Sequence, residues 1–379
     1  GWTLGSGRPP DGHHAHSRPP CGGGCDVHQC VLHHPDVHSG AECTHAMGHN
    51  DYTVRPFHLP EEFHQTHWTT KQMCRAIQRR NPEKPGFWYC SYAAPHPPIT
   101  PPAEYLAMYG HVSIEDAVVA DWSSDFESLP HATRARARVW RMYNDPVKIA
   151  RARRGFYAQC TYIDHQLRLI IGTLREEGLL DSTWIVFTAD HGDMLGDHQQ
   201  WAKPTMLDGA TRVPLLLVPP SEWWDKTDSP LRQGKPDDRL AALRDIMPTI
   251  LDACGVDTPE TVEGYSLLGG ERRESIYCEH WEDEMALRMV RDERFKLIWY
   301  PVGNRFQLFD MVSDPKETKD LSGEAAHRET VARLKRLLRS ELYGRDLDWV
   351  DGEDLVGEPE HPITRRPDVG LVGQRGWRL

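Results

Sequence analysis

From residue 51 onward, two kinds of pattern alternate along the chain. Three stretches of nearly continuous apolar character, at 87–92, 183–188 and 212–218, have the length of strands and no polar face. Such runs suit strands buried on both sides, with helices over each face of the sheet. Between the first two, 150–177 repeats apolar residues at helical steps through Tyr157, Cys160, Ile163, Leu167, Ile170 and Leu174, and stops at Gly178. A shorter helical pattern runs from Thr66 through Met73, Ala76 and Ile77 until Asn81-Pro82 and Lys84-Pro85-Gly86 break it, and another covers 243–251. The expectation is an α/β fold with a mostly parallel sheet sandwiched by helices.

Past residue 275 the rhythm changes. Short strand patterns at 275–279, 287–291, 295–300 and 307–310 are followed by a helical one at 325–342. That order predicts a small antiparallel sheet with a helix packed on it. The organisation expected is a leader (1–50), an α/β unit (51–272), an α+β unit (273–345) and an irregular tail (346–379).

Residues 1–50 differ from the rest. They are dense in Gly, Pro, His and Cys and show no periodicity. Three readings stand open: a biased, unstructured leader; an out-of-frame translation of a GC-rich gene; and a zinc module drawing on Cys21, Cys25, His28, Cys30, His33 and His34. The ligand spacing matches no paired zinc pattern. The other five of the nine cysteines are scattered singly, which fits free thiols better than a disulfide framework. The net charge of −12 gives no footprint for nucleic acid or an anionic membrane, and no apolar run is long enough to cross a bilayer. With no signal-peptide pattern at the start, a cytoplasmic location is favoured.

The densest polar motif is Asp190-His191-Gly192-Asp193, directly after the 183–188 strand. Ligands in α/β sheets gather at the carboxyl ends of strands. There Asp190 can offer an oxygen, and His191 a nitrogen, to one divalent metal ion. The alternative is a polar turn. Lys203, thirteen residues on, could neutralise an anionic group or could be a solvated loop lysine. His96 sits in Pro95-His96-Pro97-Pro98, where flanking prolines fix the backbone; it suits substrate contact or leaving-group protonation, or a rigid surface turn.

These pieces, with Tyr162-Ile163-Asp164, Phe187 to Asp193, Arg212-Val213-Pro214-Leu215, Asp245 to Ile250, Gly264 to Leu267, Gln307 to Asp310 and Ser313 to Glu317, resemble the sulfatase branch of the alkaline phosphatase superfamily, arylsulfatases and phosphonate monoester hydrolases included. The resemblance covers about 52–342. It implies a sulfuric ester hydrolase acting on a small anionic ester. One divalent metal ion (Ca2+, or else Mn2+) would be held by Asp190 and His191. His96 and Lys203 would be catalytic and substrate-binding, and His198 a further substrate contact. Asp164, Arg212 and Asp245 would hold the architecture. The family's nucleophile is a formylglycine made from Cys or Ser in a Cys/Ser-x-Pro-x-Arg motif. No cysteine or serine here has Pro two residues on and Arg four on, and the family's first strand with its paired aspartates is not found. The expectation is therefore an N-terminally truncated chain with no nucleophile and little activity. A phosphonate monoester or phosphodiester hydrolase, and an inactive relic that binds anions, are the alternatives.

Overall fold

The computed structural model describes residues 28–32, 51–225, 231 and 233–363. Strand β1 (His28–Leu32) pairs in parallel with β2 (Gly86–Cys90). β3 (Ile185–Thr188) and β4 (Leu215–Val218) form a second pair, antiparallel. β5 (Ile276–His280), β6 (Leu287–Arg291), β7 (Phe295–Tyr300) and β8 (Arg305–Asp310) make an antiparallel sheet in sequence order. The principal helices are α1 (Gln65–Gln78), α2 (His131–Trp140), α3 (Pro146–Glu176), α4 (Ile246–Ala253) and α5 (Arg328–Glu341).

The α/β class, with an antiparallel C-terminal sheet and packed helix, is as the pattern predicts. Three local features differ. The aperiodic leader contains β1, a five-residue run free of Gly and Pro that finds a parallel partner in β2. β4 returns antiparallel to β3 because 189–214 contains no crossover helix, only the short turn Asp208–Thr211, and a parallel return needs a crossover. The tail beyond 346 is not wholly irregular: β9 (Val350–Asp351) and β10 (Asp354–Leu355) form a small hairpin against the C-terminal core. The other proposed zinc ligands lie outside the described residues, apart from His28 and Cys30 on β1. The cysteines at 74, 90, 160, 254 and 278 are free. Among the described residues no helix is long and apolar enough to cross a membrane.

The long helix α3 starts because Asp145 caps it, its carboxylate accepting from the Lys148 N–H at 3.1 Å, with Pro146 in the first turn. Gly178, at φ 68°, closes it. One face carries Ile149, Ala152, Gly155, Ala158, Tyr162, Ile163 and Leu174 inward. Gly155 has no tolerable substitute by size: a Cβ there would lie 2.7 Å from methyls of Val54 and Ile99. That face joins Tyr52, Val54, Ile99, Leu195 and Trp201 in one apolar cluster, the floor beneath the loop that follows β3.

A second cluster ties that loop to the C-terminal sheet. Met194, Met206, Leu207 and Ala210 pack on Leu287, Met289, Ile298 and Phe309. The other face of the sheet is covered by α5 through Leu334 and Leu338. At the end of β8, Asp310 is held by Arg294 at 2.9 Å. That guanidinium, helped by the Ser313 and Val312 N–H groups and opposed by burial, brings the Asp310 carboxyl down from 3.8 to about 2. A depressed acid stabilises the fold above its unfolded value and loses that contribution as pH falls through the folded one. Asp310→Asn should therefore be less stable than wild type above pH 3.8. The gap should close as pH approaches 2, in urea midpoints measured across that range; a constant gap would refute the assignment.

Candidate active site

The loop after β3 is shaped by two glycines and one buried carboxylate. A Cβ on Gly192 would sit 2.2 Å from the Gly209 carbonyl oxygen, and one on Gly209 would strike the Met194 sulfur at 2.9 Å. The Gly192 backbone can approach that carbonyl only because it lacks a side chain, and the Gly192 N–H bonds the Ala210 carbonyl at 2.8 Å. Asp193 turns inward. Its Oδ1 accepts from the Leu195 and Ala202 N–H groups, both at 3.0 Å, and its Oδ2 from the Tyr52 hydroxyl at 2.6 Å. Burial pushes this carboxyl up despite those bonds. Tyr52 in turn stacks near Trp201, ring centroids 4.5 Å apart, so both ends of the loop rest on one aromatic floor.

Asp190 and His191 are thereby presented outward. Asp190 is 84% exposed, and its Oδ2 lies 3.5 Å from His191 Nε2. His191 Nδ1 donates to the Gly192 carbonyl at 2.8 Å. A carbonyl can only accept, so Nδ1 carries a proton, and Nε2 is the nitrogen that faces the carboxylate. Two electron-pair donors facing each other at this separation suit a shared cation, and the second-nitrogen hydrogen bond is the usual way an imidazole ligand is oriented. Among the described residues no third histidine, cysteine or carboxylate joins these two in a ligand cluster. The pair fits a divalent ion as part of a shell.

His96 comes in from the turn after β2. Its Nδ1 donates to the Pro97 carbonyl at 2.7 Å, and its ring lies edge-on to His191 with centroids 6.4 Å apart. Lys203 is half-buried at the loop's far end. Burial draws its pKa down from 10.5, and the negative charges of Asp190 and Asp193 oppose that. Of the sequence candidates, Asp190, His191 and His96 therefore stand beside one another, and Lys203 is near enough to feel the charge of Asp190.

His198 does not join them. It is buried, with Nδ1 3.2 Å from the Ser123 hydroxyl and Nε2 3.0 Å from the Lys316 carbonyl, and it stacks on Trp122 at 4.7 Å. Both nitrogens are used to hold the loop's back to neighbouring segments, so the substrate-contact expectation is corrected to a packing role. It lines a cavity of about 320 Å³ behind the loop, with Arg153, Asp197 and Lys316. Of the three architectural candidates, Asp245 is a buried hub that accepts from the Ala242 and Tyr265 N–H groups and pairs with Arg273. Asp164 and Arg212 are exposed.

Two basic groups near the site escape a sequence reading. His280, at the end of β5, is buried and lowered to about 3, by burial first and then by the charges of Arg136, Arg288 and Lys203 among others. Arg136 lies over the Trp281 ring at 3.6 Å and is lowered to about 10 by burial. Neither has a motif around it; His280 feels the charges of Arg136 and Lys203 because distant stretches of the chain fold together.

The scaffold is of the alkaline phosphatase type, with an α/β core followed by an antiparallel sheet and a helix. A family model described as Sulfatase matches residues 38–256, and one described as N-sulphoglucosamine sulphohydrolase, C-terminal, matches 196–343. The chain belongs to the sulfatase family. It is 32% identical over 313 residues to an arylsulfatase of Clostridium perfringens, covering 81% of this chain and 64% of that protein. It is 31% identical to arylsulfatase K of Xenopus laevis, over 49% of this chain and 36% of that one. It superposes on a phosphonate monoester hydrolase of Silicibacter pomeroyi with a TM-score of 0.66 and 25% identity, over 79% of this chain and 67% of the other. The chain thus spans less than two thirds of the length of these two arylsulfatases.

Proposed function

We propose that this chain carries the ester-binding half of a metal-dependent sulfuric ester hydrolase. The observation that supports it is the convergence of His96, His191, Asp190 and Lys203 on one rim above a buried, hydrogen-bonded loop. Lys203 supplies a partly desolvated ammonium, which binds an anionic ester oxygen more strongly than an exposed one does. His96, with its proton fixed on Nδ1, presents Nε2 to the ester and, when protonated there, can donate to the leaving oxygen. Asp190 and His191 would hold a divalent ion, Ca2+ or Mn2+, which when bound polarises the ester. The formylglycine motif does not occur in the sequence, so no residue here supplies the family's nucleophile.

The expected results follow. Turnover of an aryl sulfate by this polypeptide should not exceed a metal-free control, whereas inorganic sulfate should bind in the presence of Ca2+. Lys203→Ala and His96→Ala should each weaken that binding about tenfold, the loss of one charge-assisted contact. Isothermal titration checks it, and unchanged affinity in both variants would leave only an inert scaffold. His191 beside Asp190, together with the phosphonate hydrolase likeness, favours a second reading in which phosphonate or phosphate esters are the substrate. Phenyl methylphosphonate displacing sulfate at a lower concentration than phenyl sulfate would select it.

A further inference from the structure

We infer that His131, Glu284 and His361 form a zinc site that clips the C-terminal segment to the fold. One donor atom from each of the three residues lies within 4.8 Å of the other two. They come from three separate stretches: the first turn of α2, the turn before β6, and the segment after β10. The site shares no residue with the ester rim and does not depend on that reading.

His131 is the anchor. Its side chain is fully enclosed, and neither ring nitrogen has a hydrogen-bond partner among the described residues. A buried imidazole left in that state is costly unless something else takes its lone pair. The groups around it are a histidine and two carboxylates: the His361 ring at 5.0 Å between centroids, Glu284, and Glu360, whose Oε1 lies 3.9 Å from His131 Nδ1. His361 Nδ1 lies 3.9 Å from Glu284 Oε2 and 3.2 Å from the carbonyl of Pro362, so this nitrogen faces the carboxylate and would exchange the carbonyl for the ion. Glu360 is drawn aside by Arg134, so the fourth position falls to water.

Two imidazoles and one carboxylate are a donor set that zinc accepts, and a nitrogen-majority set, unlike the Asp190–His191 pair with one imidazole, disfavours Ca2+ and Mg2+. Metal–ligand bonds of ~2.0–2.1 Å in a tetrahedron put donors about 3.3 Å apart, so a spacing of up to 4.8 Å must close by at most about 1.5 Å. His361 and Glu284 lie on non-helical or single-turn segments that can make that shift.

The test uses the whole chain, dialysed against zinc chloride and then against buffer, with bound zinc counted by elemental analysis. Wild type should hold one more equivalent than His361→Gln, and Glu284→Gln should bind that equivalent at least tenfold more weakly. An Asp190→Asn/His191→Gln variant should keep it. Added zinc should raise the melting temperature of wild type but not of His361→Gln, and Ca2+ should not substitute. His361 is 40% exposed in its side chain, so its variant should fold; if it does not, Glu284→Gln decides. Full zinc content and the full thermal shift in both single variants would overturn the assignment, as would a wild type that takes up no zinc.

Discussion

Lys296→Ala should cost the fold ~3–5 kcal/mol, seen as a lower urea midpoint with an unchanged slope. Lys296 is wholly buried on β7, and its ammonium meets Glu317 at 2.8 Å, the Met206 carbonyl at 3.1 Å, and Asp208. Burial pushes Glu317 up; Asp208 also feels burial, but Lys296, with Arg291 and Arg212, holds it down. Removing the cation leaves two largely buried carboxylates without their shared partner, with Arg291 at 3.2 Å and the charge of Arg212 still attending Asp208. The size of the loss comes from those stranded groups rather than from the intrinsic worth of the ion pairs. The triple variant Lys296→Met, Asp208→Asn, Glu317→Gln removes the charges together and should cost far less. A single variant within about 1 kcal/mol of wild type would mean the cavity admits water and the argument fails.

Asp193→Ala should destabilise by ~2–4 kcal/mol, because it orphans two backbone N–H groups and the Tyr52 hydroxyl at once. Asp193→Asn should behave differently. Its amide oxygen can still accept from Leu195 and Ala202, while its NH2 can donate to Tyr52 in place of accepting. The sign with pH separates both variants from wild type, and the size of the loss separates them from each other. A buried acid with a raised pKa contributes stability that is fully present below 3.8 and lost as pH rises through its folded value. The asparagine has no such loss, so it should gain on wild type as pH rises from 4 to 7. Denaturant midpoints over that range give the answer; an Asn variant that tracks the Ala one would show that the charge itself holds the loop.

What could be read from the sequence was local. The helix at 150–177 matches α3 within a few residues because its period and its stop at Gly178 are both written in the chain. The four C-terminal strands were legible for the same reason, each a short run set off by turn residues. Among the candidate site residues, Asp190, His191 and His96 announce themselves by lying just past strands. The orientation of β4 could not be read, because 189–214 gives no sign of how the chain returns. Nor could the fate of His198, whose partners Ser123 and Lys316 stand 75 and 118 positions away. Asp193 looked like one more polar residue in a polar loop, and only its contact with Tyr52, 141 positions upstream, reveals it as the loop's hub. The Lys296 triad is likewise invisible, since a lysine in a strand reads as an outward-facing residue.

The loop that carries Asp190 and Lys203 is pinned from behind by β7, whose Lys296 lies 88 residues downstream of Asp208. At synthesis rates of ~5–20 residues per second, the ribosome needs several seconds to more than ten to deliver that strand after the loop has emerged. Throughout that interval the apolar backs of Met194, Met206 and Leu207 have no sheet to lie on. The ester rim is therefore one of the last parts of the molecule to take shape, and a nascent chain stalled before residue 296 would hold the motif without the geometry.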